Sequence, residues 1–166
     1  LYPRFHAQAG SLNWYCLDHW SEDLKLDIVA LKQELQHLIR PRVDAMVFLQ
    51  ALAKSNKQVW MVTNAHPDAL KLKLRATNIA PYFDHIISSH QFGKPKEHIE
   101  FWQALQHHLH FNPKRSLFID DSEAVLATAD KFGIGHILSI KQPDSQLAAR
   151  AGLSFPALHH FADILP

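Results

Sequence analysis

The sequence predicts an α/β fold in which helices flank a parallel β-sheet, preceded by a small helical subdomain. After residue 42, short apolar segments rich in β-branched residues alternate with amphipathic segments, whereas helical spacing of apolar residues prevails before it. Strands that are separated by helices need crossover connections, which make the strands parallel and cover both faces of the sheet. We therefore expect a helical subdomain in residues 1–41 and an α/β core in residues 42–166.

The first forty residues are predicted to be helical. Apolar residues from Trp14 to Leu38 recur at spacings of three and four. We expect helix breaks near Ser21 and at Leu26-Asp27, whose aspartate is suited to capping a second helix. Arg40-Pro41-Arg42 then interrupts the pattern, because a residue that precedes proline disfavours helical backbone, and we interpret it as the hinge to the core.

The core elements alternate in type along the chain. The predicted strands are the apolar segments 58–64, 83–89, 116–121 and 136–141. The predicted helices are the amphipathic segments 43–55, 67–78, 96–110 and 123–133. The last helix ends at Gly133, a residue that is favoured just after a final helical turn. This order predicts parallel strands, of which 136–141 is the last.

The composition excludes several classes of function. With 166 residues and 47% hydrophobic content, the chain suits one globular domain with a small subdomain. A formal net charge of +1 offers no basic field for nucleic acid or an anionic membrane, and no apolar run approaches the roughly 20 residues of a membrane span. The one cysteine, Cys16, excludes an internal disulfide and favours a reducing compartment. We expect a cytoplasmic protein in which the Cys16 thiol is not catalytic.

Polar residues follow three of the predicted strands. Thr63-Asn64 ends the first strand, a loop with Lys94 and Lys96 follows the second, and Asp120-Asp121 ends the third. Ligands of open parallel sheets bind outside the carboxyl ends of the strands. We therefore expect these side chains to converge on one site.

The chemistry of this set suits a phosphate and a magnesium ion. A hydroxyl and backbone N–H groups at a strand-to-helix turn can hold phosphate oxygens. A lysine offsets the charge on a phosphate and on a nearby carboxylate. Asp120 and Asp121 repel each other unless a cation lies beside them, and Mg²⁺ prefers carboxylates, water and phosphate oxygens as ligands. The pair is therefore predicted to hold magnesium.

Each of these residues also has a purely structural interpretation. Thr63 is a β-branched residue at a strand end, and Asn64 is a suitable helix N-cap. Asp120-Asp121 suits a helix start, although Ser122 is an equally good cap. The lysines suit a solvated loop, and His66 suits either a helix start or a position near the phosphate. The order of the signals along the chain favours the functional interpretation.

Three segments resemble motifs of the haloacid dehalogenase (HAD) superfamily. VTNAH (62–66), FGKPKEHIEFW (92–102) and FIDDSEAVLATA (118–129) resemble its second, third and fourth motifs, in the correct order. Within the superfamily the chain is most similar to the bacterial GMP/IMP 5′-nucleotidases, through LNWYCLDHWSE (12–22) and the final FADILP. The resemblance implies a Rossmann-like core with a helical cap, of which residues 1–41 are the remainder.

The resemblance also implies roles for the site residues. Thr63 would bind the transferring phosphoryl group, with Asn64 beside it. Asp120 and Asp121 would bind magnesium, with Asp121 as the expected direct ligand. In the cap, Asn13, Trp14 and Tyr15 are candidates for contacts with the nucleoside, although aromatic residues at helical spacing more often belong to a core.

The resemblance leaves two candidates for the catalytic lysine. Superfamily members commonly show Lys-Pro, which selects Lys94, whereas the nucleotidases show Pro-Lys-Glu, which selects Lys96. Lys96 also precedes the aromatic Trp102 by six residues, the usual distance in the superfamily. We assign the role to Lys96.

The nucleophile that the resemblance implies is missing from the sequence. Members of the superfamily use the first aspartate of an Asp-x-Asp-Gly-Thr motif, and no Asp-x-Asp occurs here. Asp18, Asp23, Asp27 and Asp44 lack the apolar strand and Gly-Thr turn that such a nucleophile needs. We expect a parent protein with about fifty further upstream residues, by the length of a strand and a helix, and no activity from this chain alone.

Three functional hypotheses follow. The leading one is a magnesium-dependent phosphomonoester hydrolase, a purine 5′-nucleotidase that acts on nucleoside 5′-monophosphates through an aspartyl-phosphate. A second is another phosphatase of the superfamily, for a sugar phosphate or phosphoglycolate. A third is a non-catalytic protein that binds phosphate or magnesium. The acidic pair argues against the dehalogenases, which resemble this core but need no metal.

Overall fold

A computed structural model describes residues 2–144 and 146–166 of the chain. The protein divides into two compact units, Leu1–Pro95 with Leu165–Pro166 and Lys96–Ile164. Each unit contains its own parallel sheet and helices. The predicted boundary between subdomain and core, at residue 41, lies in an irregular segment of the first unit.

The first unit begins with the predicted helical region. Its helices are α1 (Tyr2–Ala7), α2 (Leu17–Leu24), α3 (Ile28–Glu34) and α4 (Ala45–Ala53), with 3-10 turns at Leu12–Tyr15 and Gln36–Leu38. Asp27 caps α3 as predicted, since its Oδ1 accepts a hydrogen bond from the N–H of Ala30 at 2.8 Å. The expected break at Ser21 is wrong. Helix α2 continues to Leu24, because the Ser21 hydroxyl accepts a hydrogen bond from the Ile28 N–H and links the two helices instead of ending one.

The sheet of the first unit is two-stranded and parallel. Strand β1 (Trp60–Thr63) pairs with β2 (His85–Ser88), with Thr63 opposite Ser88. Helix α5 (Pro67–Thr77) lies between the two strands in sequence and makes the crossover that parallel strands require. The carboxyl ends of β1 and β2 therefore lie side by side at one edge of this sheet.

The second unit contains the remaining sheet. Its elements are α6 (Ile99–Leu109), β3 (Leu117–Asp120), α7 (Glu123–Phe132), β4 (His136–Ile140) and β5 (Ala157–Leu158). The strands are parallel in the order β3-β4-β5, with Asp120 opposite Ser139. The prediction that β4 is the last strand is wrong. Strand β5 is only two residues long and pairs with the end of β4, so it shows no periodicity that the sequence could reveal.

Buried side chains on α6 and α7 form the core of the second unit. Phe101, Trp102, Leu105 and Leu126 are each at most 2% exposed. They recur at helical spacing, which explains why the amphipathic pattern predicted these helices.

Helices α5 and α6 have eleven residues each. Among the residues that the structure describes, no helix combines the length and apolar character needed to cross a membrane.

Candidate active site

The turn that follows β1 holds the Thr63 hydroxyl in place. Its Oγ1 accepts a hydrogen bond from the N–H of Ala65 at 3.1 Å. The carbonyl of Ala65 accepts a hydrogen bond from the Ser88 hydroxyl at 2.7 Å, which ties this turn to the end of β2. Asn64 is buried. The turn therefore presents a hydroxyl and backbone N–H groups just before a helix, an arrangement that suits an anion.

Asn64 is not the cap of the helix that follows. Helix α5 begins at Pro67, and its N-cap is His66, whose Nδ1 accepts a hydrogen bond from the N–H of Asp68 at 3.4 Å. The structural interpretation of Asn64 as an N-cap is thus wrong, because the chain turns at Ala65 and places His66 at the helix start.

Lys96 and Asp120 form a buried ion pair in the second unit. The Lys96 ammonium contacts Oδ2 of Asp120, and the two side chains are 9% and 10% exposed. The other carboxylate oxygen, Oδ1, accepts a hydrogen bond from the Ser122 N–H at 2.9 Å. The ammonium also lies 5.6 Å from the ring centroid of Phe118, within the range of a cation–π contact. The Lys94 side chain is exposed.

Trp102 anchors the backbone of Lys96. Its indole N–H donates a hydrogen bond to the Lys96 carbonyl at 2.9 Å, and its side chain is 2% exposed. The Trp102 ring also packs against Phe118 of β3, with ring centroids 4.8 Å apart. The six-residue spacing between lysine and tryptophan thus has a structural cause, because the indole of α6 holds the loop that carries the lysine.

Asp121 differs from its neighbour Asp120. Its side chain is exposed, and its carboxylate has no hydrogen-bond or ion-pair partner within residues 2–144 and 146–166. Its backbone carbonyl accepts a hydrogen bond from Arg150 at 2.7 Å, and the same guanidinium donates to the carbonyl of Ile140. The backbone of Asp121 is therefore fixed while its carboxylate is available to a cation.

Glu123 fixes the other side of this loop. Its carboxylate accepts hydrogen bonds from the Ser154 N–H at 2.9 Å and from the Ser139 hydroxyl at 3.1 Å. The hydrogen bond from the Ser154 backbone is the main reason why the pKa of Glu123 lies below its ordinary value. The N-cap of α7 is Ser122, whose hydroxyl accepts a hydrogen bond from the Val125 N–H. Of the two caps that the sequence offered, Asp120-Asp121 and Ser122, the structure therefore uses Ser122.

The two sets of predicted site residues belong to different units. Thr63-Asn64 lies at the carboxyl end of β1 in the first unit. Lys96, Asp120 and Asp121 lie in the second unit, where the aspartates mark the carboxyl end of β3. Each set is thus at the predicted end of a parallel strand. Their meeting in one site stays a prediction.

The predicted nucleoside contacts fall in the 3-10 turn Leu12–Tyr15. Asn13 is exposed. Trp14 packs against Phe5 with ring centroids 4.2 Å apart, and its carbonyl accepts a hydrogen bond from the indole of the buried Trp20. Packing of this kind favours the core interpretation for Trp14. Nucleoside contacts by Asn13, Trp14 and Tyr15 stay predictions.

The fold also forms a cluster around His66 that the sequence did not predict. The Sγ atom of Cys16 and one ring nitrogen each of His66 and His90 all lie within 4.8 Å of one another. Burial lowers the pKa of His90, and the neighbouring His66 lowers it further. No local pattern marks this cluster, because its members lie far apart in the sequence and are joined only by the fold.

Comparison with known proteins relates the chain to one family. The profile of the haloacid dehalogenase-like hydrolases matches residues 6–133. The GMP/IMP nucleotidase YrfG of Escherichia coli K12 is 41% identical over 163 residues, which is 98% of this chain and 73% of the relative.

Solved structures share the fold. The HAD phosphatase from Thermococcus onnurineus matches with a TM-score of 0.82 at 17% identity, over 98% of this chain and 75% of that one. A HAD-family enzyme from Bacteroides thetaiotaomicron, in complex with magnesium and inorganic phosphate, matches with a TM-score of 0.62 at 21% identity, over 77% of this chain and 69% of that one. The predicted α/β fold is confirmed by these similarities.

Proposed function

The chain belongs to the haloacid dehalogenase-like hydrolases. From this premise we propose that it is part of a magnesium-dependent phosphomonoesterase that acts on purine nucleoside 5′-monophosphates. The observation that carries the proposal is the pairing of Lys96 with Asp120 beside the exposed carboxylate of Asp121. A lysine next to an acidic pair suits a phosphate and a divalent cation, whereas a dehalogenase needs no metal.

The nucleotide class rests on the close relative. The E. coli relative is a GMP/IMP nucleotidase, and it is 41% identical over 98% of this chain. Similarity of this extent supports the same class of substrate here, a purine nucleoside monophosphate. Asn13 is the proposed contact whose side chain is exposed.

The donor set fits magnesium. Asp120 has one oxygen paired with Lys96 and the other bonded to the Ser122 N–H, while Asp121 is exposed to water. A carboxylate with neighbouring water molecules is the ligand type that Mg²⁺ prefers. We propose that Asp121 holds the ion directly with Asp120 beside it. When bound, the ion supplies positive charge to the phosphoryl oxygens.

The remaining residues bind and orient the phosphoryl group. The Thr63 hydroxyl accepts a hydrogen bond from Ala65, so its own O–H can donate to a phosphoryl oxygen. Lys96 would offset the charge that develops on the transferring group. Arg150 would keep Asp121 in place through its backbone carbonyl. The sequence contains no Asp-x-Asp, so the proposed roles are binding and charge stabilisation, and none of these residues is the nucleophile.

The test is phosphate release by the protein expressed from its complete gene. We expect IMP and GMP to be hydrolysed with a kcat/KM at least about 10-fold above that of glucose 6-phosphate and phosphoglycolate. Activity should disappear with EDTA and return with Mg²⁺. Equal rates with sugar phosphates would contradict the nucleotide class. Phosphate binding without hydrolysis of any ester would favour the non-catalytic alternative.

A further inference from the structure

Three elements of the first unit bring metal-binding side chains together. Cys16 precedes α2, His66 caps α5, and His90 lies in the 3-10 turn Ser89–Gln91 after β2. One potential ligand atom from each lies within 4.8 Å of the others. We propose that Cys16, His66 and His90 form a zinc site, separate in its ligands and chemistry from the proposed magnesium site.

His90 has a buried ring nitrogen that is suited to binding a metal. Its Nε2 is buried and is without a hydrogen-bond partner in the described part of the chain. The ring also has a hydrogen bond with the backbone of Asn64. In many metal-binding histidines one ring nitrogen donates to a backbone carbonyl and the other binds the metal, which is the role that Nε2 would have here.

His66 has an acidic partner near each ring nitrogen. Its Nε2 lies 3.4 Å from the carboxylate of Asp18, and its Nδ1 lies 3.7 Å from the carboxylate of Asp68. Binding of a metal through Nε2 places the ring proton on Nδ1, so the 3.4 Å cap bond from the Asp68 N–H would be exchanged for donation from Nδ1 to the Asp68 carboxylate. A carboxylate behind a metal-bound imidazole fixes the tautomer and makes the ring a stronger ligand.

The ligand types select the metal. One thiolate and two imidazoles suit Zn²⁺, which is commonly bound by Cys and His, whereas Mg²⁺ prefers oxygen ligands. Asp18 is a further candidate ligand, because its carboxylate lies 3.4 Å from Nε2 of His66 and it follows Cys16 by two residues.

A metal bound by these residues would stabilise the turn after β1. His66 is in that turn, and the His90 ring has a hydrogen bond with the backbone of Asn64 within it. Cys16 would tie the start of α2 to the same point. Zinc binding should therefore stabilise the first unit against unfolding, since a ligand that binds only the folded state raises its stability.

The first test is zinc binding by the whole chain after treatment with EDTA, measured by competition with a chromogenic chelator. We expect one zinc ion per chain. Cys16→Ser and His90→Gln should each weaken zinc binding by roughly 100-fold, and Asp68→Asn by about 10-fold. His37→Gln is the matched control, because His37 is exposed and contacts the backbone of Glu34. The zinc affinity of this variant should equal that of the wild type.

Cobalt and thermal unfolding provide independent readouts. Co²⁺ in the same site should give a thiolate-to-metal absorption band that is absent in Cys16→Ser. Zinc should raise the Tm of the wild type and of Asp121→Asn, but not that of His90→Gln, with circular dichroism confirming that the variants are folded. Failure to bind one zinc ion, or binding that survives both Cys16→Ser and His90→Gln, would overturn the proposal.

Discussion

Lys96 and Asp120 form a buried ion pair at the carboxyl end of β3. The pair gives the adjacent aspartates different environments, since Asp120 is neutralised by the lysine while Asp121 is exposed. Burying both charges is tolerated because they are paired and because Asp120 also accepts a hydrogen bond from Ser122. The repulsion expected between neighbouring carboxylates is thereby reduced.

Removal of the lysine should destabilise the fold. Lys96→Met leaves the Asp120 carboxylate buried without its partner, and we expect the free energy of unfolding to fall by about 3–5 kcal/mol in urea titrations. The control Lys94→Met changes an exposed residue and should alter stability by less than about 0.5 kcal/mol.

A double variant separates charge from packing. Adding Asp120→Asn to Lys96→Met removes the unpaired charge and should restore part of the lost stability. An equal loss in the single and double variants would show that the charge of Asp120 is not the cause.

Loss of the exposed Asp121 carboxylate should abolish metal-dependent turnover. Asp121→Asn removes the proposed direct ligand, and we expect kcat for IMP in the protein expressed from its complete gene to fall roughly 100-fold or more. The measurement is phosphate release against Mg²⁺ concentration. Asp130→Asn, at an exposed position of α7, should behave as the wild type. Full activity of Asp121→Asn would refute its role as a ligand.

Stability should depend on the ionised form of Glu123. Its pKa is lowered in the folded protein, mainly by the Ser154 backbone hydrogen bond, so its contribution is present above its ordinary value of 4.5 and is lost as pH falls through the lower folded pKa. Wild type should therefore be more stable than Glu123→Gln at pH 7, and the difference should shrink in acid. The matched change Glu100→Gln, at an exposed position of α6, should show no such trend. A difference that is independent of pH would contradict this explanation.

Gly135 is expected to tolerate no side chain. A Cβ atom there would lie 2.2 Å from the carbonyl oxygen of Lys114, a backbone atom that cannot turn away. We expect Gly135→Ala to lower the free energy of unfolding by about 3 kcal/mol in urea titrations. At Gly93 nothing lies within 4 Å and φ is +67°, so Gly93→Ala should cost only about 1 kcal/mol of backbone strain. Equal costs at the two sites would show that the clash relaxes.

Much of the fold could be predicted because its signals are local. Asp27 and Ser122 cap helices through bonds to residues three positions later, and Gly133 ends α7 with a φ of 105°. Such contacts depend on the neighbouring residues alone. The missed strand β5 and the wrong break at Ser21 depend instead on a pairing with β4 and on a bond to the next helix.

By itself the sequence determined the class of fold, the order of the core helices and strands from α4 to β4, and the residue types at the strand ends, because periodicity and capping act over a few positions. Only the tertiary structure decided that Lys96 pairs with Asp120 and that Cys16, His66 and His90 come together. The partners in these contacts are at least 24 residues apart in sequence. The packing of the sheets and helices brings these residues within reach of one another, and no local sequence pattern indicates it.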